Sequence, residues 1–403
     1  MIRHAVPTSL TLGALWGVVI AFTVTVAFSF ATGLPFKPHL WLALLWGALA
    51  GLGVVLLRVR GLPGVLGGVL VYTLLDLIDT GATISGNGVS PLYSGLAAAS
   101  TGGFTLLGLA GILRGAPSGA MSRHEWEEAV IRFLTGFGYI FFTAIVLIPF
   151  YVMVMTSLKS QQALLQNPLD FSLDVNKGWS LFRSYSELFA DFNFGTYLMT
   201  SFIVSALTVL ITLAFSIPGA YAVARLDFKG RAAFSRAILL IYMVPMIVLA
   251  LPIYIAFSMT GLRNSLLGIV MIYPVTTIPV ALYMLQGYFR GLPAEVEEAG
   301  LMDGLSRLKV IWKITLPLSL PALASVSLYV FMIAWNEFLL AFMLLDDPSK
   351  FTLTRGVAML NSSEIPRQHL MAGAVIATLP IMVLFLGLER FMTKGLTAGS
   401  VKG

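Results

Sequence analysis

Ten runs of apolar residues follow one another along this chain, most of them about 20 residues long. A helix needs about 20 mostly apolar residues to cross the hydrocarbon core of a bilayer, so each run predicts a membrane-spanning helix. The runs are continuous and do not alternate every second residue, which argues against a transmembrane β-barrel. The predicted spans are 10–31, 39–57, 63–80, 92–113, 133–156, 197–222, 237–258, 266–289, 318–344 and 370–388.

The composition points the same way. Hydrophobic residues make up 58% of the 403 positions and charged residues 11%, whereas soluble domains average about 25% charged residues. We therefore predict an all-α polytopic membrane protein. With 0 cysteines, the chain has no disulfides, cysteine-ligated zinc or iron–sulfur cluster. The net charge of +6 is interpreted as a topology signal, and no nucleic-acid partner is expected.

The basic residues predict the orientation. When the N-terminus is placed in the cytoplasm and the ten spans alternate, 17 of the 25 Lys and Arg fall on the cytoplasmic side and 8 on the other. Positive charge concentrates on cytoplasmic loops. We therefore expect a multi-pass protein of the bacterial inner membrane with both termini in the cytoplasm.

The spans fall into two groups. Residues 1–120 hold four short-looped spans, 121–132 form a charged interfacial or linker helix, and 133–403 hold six spans with longer connections. Pairs of glycines spaced four apart let helix backbones approach closely in lipid, either at a dimer contact or, as we favour, within the four-helix group. These pairs are Gly13/Gly17, Gly47/Gly51 and Gly64/Gly68.

Two aspartates near the third span allow another function. Asp76 and Asp79 are three residues apart and so share one helix face, as in ion-coupled secondary transporters. The alternative interpretation, which we favour, is a span end at the membrane surface.

Motifs for catalysis are absent. The chain contains no GxxxxGK[ST] loop, no HExxH and no GxSxG, and its 4 histidines are scattered. We expect no catalytic residue, no metal site and no cofactor bound by this chain, which makes an intramembrane enzyme remote.

The segment between the eighth and ninth spans is too polar to cross the membrane. Pro293 starts a first helix with acidic residues in its first turn, and Gly304 can end that helix. Small or apolar residues define a face on each of two predicted helices, and Pro317 marks entry to the next span. These faces are Val296, Gly300 and Leu301 on the first helix and Leu308, Ile311, Trp312 and Thr315 on the second.

The order of residues in this 293–317 loop resembles the EAA loop of ABC importer permeases. The matching positions are Glu298, Ala299, Gly300, Asp303 and Gly304, followed by Ile314, Leu316 and Pro317. Gly300 stands where the family has alanine, which should loosen the helix by about 1 kcal/mol. Leu305 replaces a small residue.

Two further segments strengthen the resemblance. Trp335-Asn336-Glu337-Phe338 is similar to a segment of carbohydrate-importer permeases, and residues 395–403 resemble the end of the smaller membrane subunit of maltose importers. The resemblance covers 133–403 and implies a six-helix permease core, here preceded by about four additional transmembrane helices.

The resemblance also implies partners and site residues. The permease would work with a second permease subunit, two ATPase subunits that hold Mg-ATP, and an extracytoplasmic sugar-binding protein. ATP would drive alternating access for a di- or oligosaccharide of the maltose, maltodextrin or trehalose type. Contact with the ATPases would involve Glu298, Ala299, Gly300, Asp303, Gly304 and Leu305 in the loop and Thr397, Ala398 and Gly399 in the tail.

The ninth span carries polar residues. A charge at membrane depth usually faces protein or water, so Glu337 and Asn336 either line the translocation path or outer gate or hydrogen-bond to neighbouring helices. Trp335 could stack on a sugar ring, but it fits an interface anchor better.

Overall fold

The structure is a computed structural model that describes residues 4–57, 61–77, 83–86, 89–168, 170–362 and 365–398. It is helical, as predicted, apart from a short antiparallel ribbon of β1 (Phe36–Pro38) and β2 (Ile84–Gly86). The helices are α1 Ala5–Thr32, α2 Leu40–Leu56, α3 Gly61–Leu77, α4 Pro91–Ile112, α5 Arg123–Ser157, α6 Gln161–Gln166, α7 Arg183–Asp191, α8 Phe194–Arg225, α9 Arg231–Tyr242, α10 Met246–Met259, α11 Leu266–Gly291, α12 Ala294–Met302, α13 Arg307–Val310, α14 Leu316–Leu318, α15 Leu320–Asn336, α16 Leu339–Leu344, α17 Leu353–Met359 and α18 Arg367–Ala398.

Six of the described helices are long and apolar enough to cross a membrane, and a bent pair makes up to 7. These six are α1, α4, α5, α8, α11 and α18, and α2, α3 and α10 add shorter apolar helices. The fold class predicted from the apolar runs is therefore confirmed.

The chain divides into two compact units, Met1–Leu181 and Phe182–Gly403. The first unit thus contains the fifth span as well as the first four, whereas the sequence placed a boundary near residue 120. The expected roles of 1–120 and 133–403 as extension and core remain predictions.

Glycines hold the first unit together. A Cβ on Gly17 would lie 2.8 Å from Gly47 Cα, and one on Gly13 would lie 3.1 Å from Gly51 Cα. Helices α1 and α2 therefore pack backbone to backbone, which only residues without a side chain allow. This packing within the unit is the interpretation that the sequence favoured for these spacings.

The charged segment before the fifth span was predicted to be a separate interfacial or linker helix. In the structure it forms the first turns of α5. Ser122 and Glu125 form a capping box, in which each side chain accepts the other residue's backbone N–H. Hydrogen bonds from Ser122 lower the pKa of the Glu125 carboxyl. Neither proline nor glycine occurs between Arg123 and Arg132, so nothing interrupts the helix there.

The core of the second unit lies between α8, α11, α15 and α18. Within it, Thr212 of α8 and Thr277 of α11 join their buried hydroxyl groups at 2.6 Å. Such a hydrogen bond pairs two polar groups for which the lipid hydrocarbon offers no hydrogen-bonding partner.

Two predicted spans are broken in the structure. The span 237–258 consists of α9 and α10, separated at Pro245, because proline lacks a backbone N–H and keeps the preceding residue out of the helical region. The span 318–344 consists of α15 and α16, which are separated at Glu337 and Phe338.

Contacts between loops support the alternation of the second unit's spans. At one end, Asn264 Oδ1 accepts the backbone N–H groups of Asp346 and Asp347, each at 3.1 Å. At the other end, Arg225 Nη2 donates to the Leu292 carbonyl at 2.7 Å. Loops predicted to share a side do so, while the choice of cytoplasmic side remains a prediction.

Candidate functional site

The 293–317 loop folds as two short helical arms joined by a tight turn. The first arm, α12, ends in a Schellman motif: Leu305 N–H bonds to the Gly300 carbonyl at 3.1 Å and Gly304 N–H to the Leu301 carbonyl at 3.0 Å. Gly304 has φ +81°, a left-handed conformation that disfavours other residues. The helix end predicted at Gly304 is therefore confirmed.

The second arm is less regular than expected. It runs through α13, a π-helical turn at Ile311–Thr315, and α14. The π-turn splits the face predicted from helical spacing, so that Thr315 is buried while Leu308 and Trp312 remain 71% and 72% exposed. The prediction of one shared face is therefore wrong.

The loop leaves the membrane span at a sharp angle. The helical segment Arg307–Leu318 and the helix Leu320–Asn336 meet at 81°. Pro317 and Pro321 flank the break, and each removes a backbone donor. Only Ser319 separates the second arm from α15.

Gly300 lies inside the loop. A Cβ there would meet Ile314 Cδ1 at 2.5 Å and Leu305 Cδ1 at 3.6 Å. Gly300 therefore lies close to the loop's own second arm, and its expected role in contact with an ATPase remains a prediction. Leu305, the other departure from the family pattern, supplies the backbone N–H that bonds to the Gly300 carbonyl.

The sequence missed the role of Glu297. This carboxylate is buried; it accepts hydrogen bonds from Thr315 Oγ1 at 3.0 Å and from Tyr221 Oη at 3.2 Å. It also forms an ion pair with Arg225, at 3.4 Å between Oε1 and Nε. Glu297 thus joins both arms of the loop to the end of α8. Nothing in the local sequence distinguishes this glutamate from its neighbour Glu298.

The outer face of the loop combines apolar and acidic groups. Glu298, Ala299, Asp303 and Gly304 are exposed. The loop also carries exposed large apolar side chains, which a partner could cover. These side chains are Val296, Met302 at 88% exposure, Leu308 and Trp312. Val296 was predicted to share a face with Gly300, but Val296 is exposed whereas Gly300 is buried.

In the ninth span, Trp335 is a core residue. It is 2% exposed, its Nε1 donates to the Ala377 carbonyl at 3.0 Å, and its ring stacks on Phe331. Trp335 therefore ties α15 to α18, and neither the sugar-stacking nor the interface-anchor interpretation fits.

The neighbouring polar pair lies at the break between α15 and α16. The Glu337 carboxylate accepts the N–H groups of Leu340 and Ala341 at 2.9 and 3.2 Å and so caps α16. Asn336 is exposed, and its Nδ2 donates to the Met332 carbonyl at 2.9 Å. Hydrogen bonding to neighbouring residues, one of the two roles that the sequence left open for Glu337, is therefore observed. That Glu337 or Asn336 lines the translocation path remains a prediction.

Some predicted residues cannot be placed in the site. Thr397 and Ala398 lie at the end of α18, where only the backbone is described, and Gly399 lies outside the described residues. Asp76 belongs to α3 with its side chain undescribed, and Asp79 lies outside the described residues. In the described part of the chain, no group of three His, Asp or Glu is placed to hold a metal.

The described helices form a polytopic membrane unit whose two-armed polar loop is tied to α8 by Glu297. Residues 216–397 match the model of the family described as binding-protein-dependent transport system inner membrane component. The chain belongs to this family of ABC importer permeases.

Individual relatives agree. The chain is 36% identical over 270 residues to the inner membrane ABC transporter permease protein YcjP of Escherichia coli, covering 66% of this chain and 95% of the relative. It is 34% identical over 281 residues to the trehalose/maltose transport system permease protein MalG of Thermococcus litoralis, covering 69% and 99%. Both relatives are transport subunits and not enzymes, as expected here, and the ion-coupled alternative has no support.

A solved structure shares the fold. A bacterial ABC transporter involved in the import of the acidic polysaccharide alginate aligns with a TM-score of 0.57 and 23% identity, covering 67% of this chain and 98% of that one. The alignments with these two relatives and with the solved structure each leave about a third of the present chain unmatched.

Proposed function

We propose that this chain is the permease subunit of an ATP-driven importer of di- or oligosaccharides. The 293–317 loop carries the proposal, because it has an exposed apolar and acidic face and is tied by Glu297 to α8. Such a loop can transmit the movement of a soluble ATPase to the spans. Similar permeases include trehalose/maltose and diacetylchitobiose transport proteins, so the cargo class is sugar, with maltose, maltodextrin or trehalose leading.

The proposed assembly contains a second permease, two ATPase subunits with Mg-ATP, and an extracytoplasmic sugar-binding protein. Both termini and the loop would face the cytoplasm, as the distribution of basic residues favours. The ATPase contact would involve the loop residues Glu298, Ala299, Gly300, Asp303, Gly304 and Leu305, with Glu298 paired to a basic group. Thr397, Ala398 and Gly399 would approach the ATPases from the tail. Asn336 and Glu337 would lie near the outer gate.

For the four N-terminal spans, we propose a lateral scaffold that stabilises the permease. The first unit packs α1–α4 together with α5: Trp16 meets Phe133 edge-to-face, with ring centroids 6.1 Å apart, and Tyr151 donates to the Phe30 carbonyl at 3.0 Å. Deletion of 1–120 should lower the melting temperature of the assembly. Unchanged stability, assembly and transport would leave the scaffold idea without support.

Co-purification tests the ATPase contact. The chain is expressed with the ATPase and permease encoded beside it and isolated in detergent. Glu298→Arg should lose the ATPase and retain the second permease, because the side chain is exposed and its negative charge would pair with a basic group of the ATPase. Glu295→Arg, an equally exposed charge reversal on the same helix, is the matched control. Equal ATPase recovery with Glu298→Arg and wild type would contradict the docking proposal.

A further inference from the structure

A basic pocket of about 800 Å³ opens between the start of α9 and the end of α11. Its lining includes three guanidinium-bearing residues, a hydroxyl group, an aromatic ring and a glycine. These residues are Arg231, Arg236, Arg290, Ser235, Phe228 and Gly230.

The three arginines differ in their engagement. Arg231 is held in place, since Nε donates to the Val223 carbonyl at 2.7 Å and Nη2 to the Ala224 carbonyl at 3.2 Å. Arg236 and Arg290 are exposed and form no ion pair with any other described residue. Two uncompensated cations therefore face one opening.

The pocket is preformed. Ser235 Oγ donates to Gln286 Oε1 at 3.2 Å and joins α9 to α11. One turn further, Ile238 is buried in the cluster that contains Leu285 and Phe289. Because α9 is fixed against α11, ligand binding would cause little loss of conformational entropy in the pocket.

The position of the pocket indicates the kind of ligand. Arg290 lies in the last turn of the spanning helix α11, which puts the guanidinium groups at the level of lipid headgroups. Phe228, Phe234 and Leu240 are exposed apolar side chains on the same segment. Cationic groups beside exposed apolar groups match the amphiphilic form of a phospholipid better than that of a soluble anion.

We propose that this pocket binds the phosphate group of an anionic phospholipid, with Arg236 and Arg290 on the phosphate oxygens and Arg231 adding positive charge. The acyl chains would run along the apolar side chains of α9. Guanidinium groups bind phosphate through paired, charge-assisted hydrogen bonds, and basic pockets between membrane helices bind anionic headgroups.

Native mass spectrometry of the full chain in detergent tests the source of the phosphate. Delipidated protein is titrated with phosphatidylglycerol, with phosphatidylcholine, or with soluble glycerol 3-phosphate. We expect saturable binding of phosphatidylglycerol, at least tenfold weaker binding of the zwitterionic lipid, and no displacement by an equal concentration of glycerol 3-phosphate. Equal affinity for both lipids would overturn the proposal, as would displacement by the soluble phosphate.

Charge removal tests the residues. Arg236→Gln with Arg290→Gln should weaken phosphatidylglycerol binding by about 30-fold, since each basic residue near an anionic surface contributes about 1 kcal/mol. Lys229→Gln, an exposed neighbour that does not line the pocket, is the matched control and should bind nearly as wild type. Arg236→Lys with Arg290→Lys should restore part of the affinity.

The lipid comparison on wild-type protein stands even if a variant folds poorly. An unchanged affinity in the double glutamine variant would contradict the assignment. An equal loss in Lys229→Gln would do the same, because it would indicate general surface charge and not a site.

Discussion

Replacing Glu297 should release the 293–317 loop from α8 while the spans stay folded. In Glu297→Ala, the hydroxyl groups of Tyr221 and Thr315 lose their acceptor and Arg225 loses its ion-pair partner. A hydrogen bond to a charged group contributes about 1.5–3 kcal/mol, and removal of one partner of a buried ion pair costs about 3–5 kcal/mol. We therefore expect local opening of the loop to become easier by about 3 kcal/mol.

Limited trypsin digestion measures this opening. Lys309 and Lys313 are exposed residues of the second arm, and trypsin cuts there only when the arm opens. When opening and closing are fast relative to cleavage, the rate follows the open population. A loss of about 3 kcal/mol corresponds to about 100-fold faster cleavage. Glu297→Gln, which keeps the shape and part of the hydrogen bonding, should give a smaller increase.

Glu298→Ala is the matched control, because it removes the same side chain one position along the helix, where it is exposed. An exposed substitution of this kind changes stability by about 0.5 kcal/mol or less. Equal cleavage rates for Glu297→Ala and Glu298→Ala would refute the claim that Glu297 anchors the loop.

Two further predictions concern packing and charge. Gly17→Ala should lower the melting temperature in detergent, since the new Cβ would lie 2.8 Å from Gly47 Cα. Gly53→Ala is the control and should leave the melting temperature unchanged, because nothing lies within 4 Å of its Cβ position. Equal effects of the two substitutions would contradict backbone-to-backbone packing. The hydrogen bond from Arg183 lowers the pKa of the Glu187 carboxyl below its ordinary value of 4.5. Its stabilisation is therefore complete near neutral pH and is lost as the pH falls below about 4.5. The melting-temperature gap between wild type and Glu187→Gln should close over that range, and a gap independent of pH would contradict this.

The sequence predicted those features that depend on local chemistry. Apolar runs located the spans because lipid tolerates few polar groups. Gly304 located the turn of the loop because its backbone, at φ +81°, needs a residue without a side chain. The glycine spacings likewise predicted close helix packing within the four-helix group, which the structure shows for α1 and α2.

Features that depend on distant partners could not be predicted. Glu297 and Glu298 are chemically identical neighbours, and only the position of Tyr221 and Arg225, more than 70 residues earlier, decides which carboxylate is buried. Trp335 was misjudged for the same reason, since its partner is the Ala377 carbonyl on another helix.

Transport by the reconstituted assembly tests the central claim most directly. The chain is purified with its ATPase and second permease, placed in proteoliposomes, and supplied with binding protein and radiolabelled maltose or trehalose. The account predicts sugar accumulation that requires Mg-ATP on the ATPase side, persists when the proton gradient is collapsed, and falls with Glu298→Arg but not with Glu295→Arg. Accumulation without ATP that disappears with the proton gradient would contradict it.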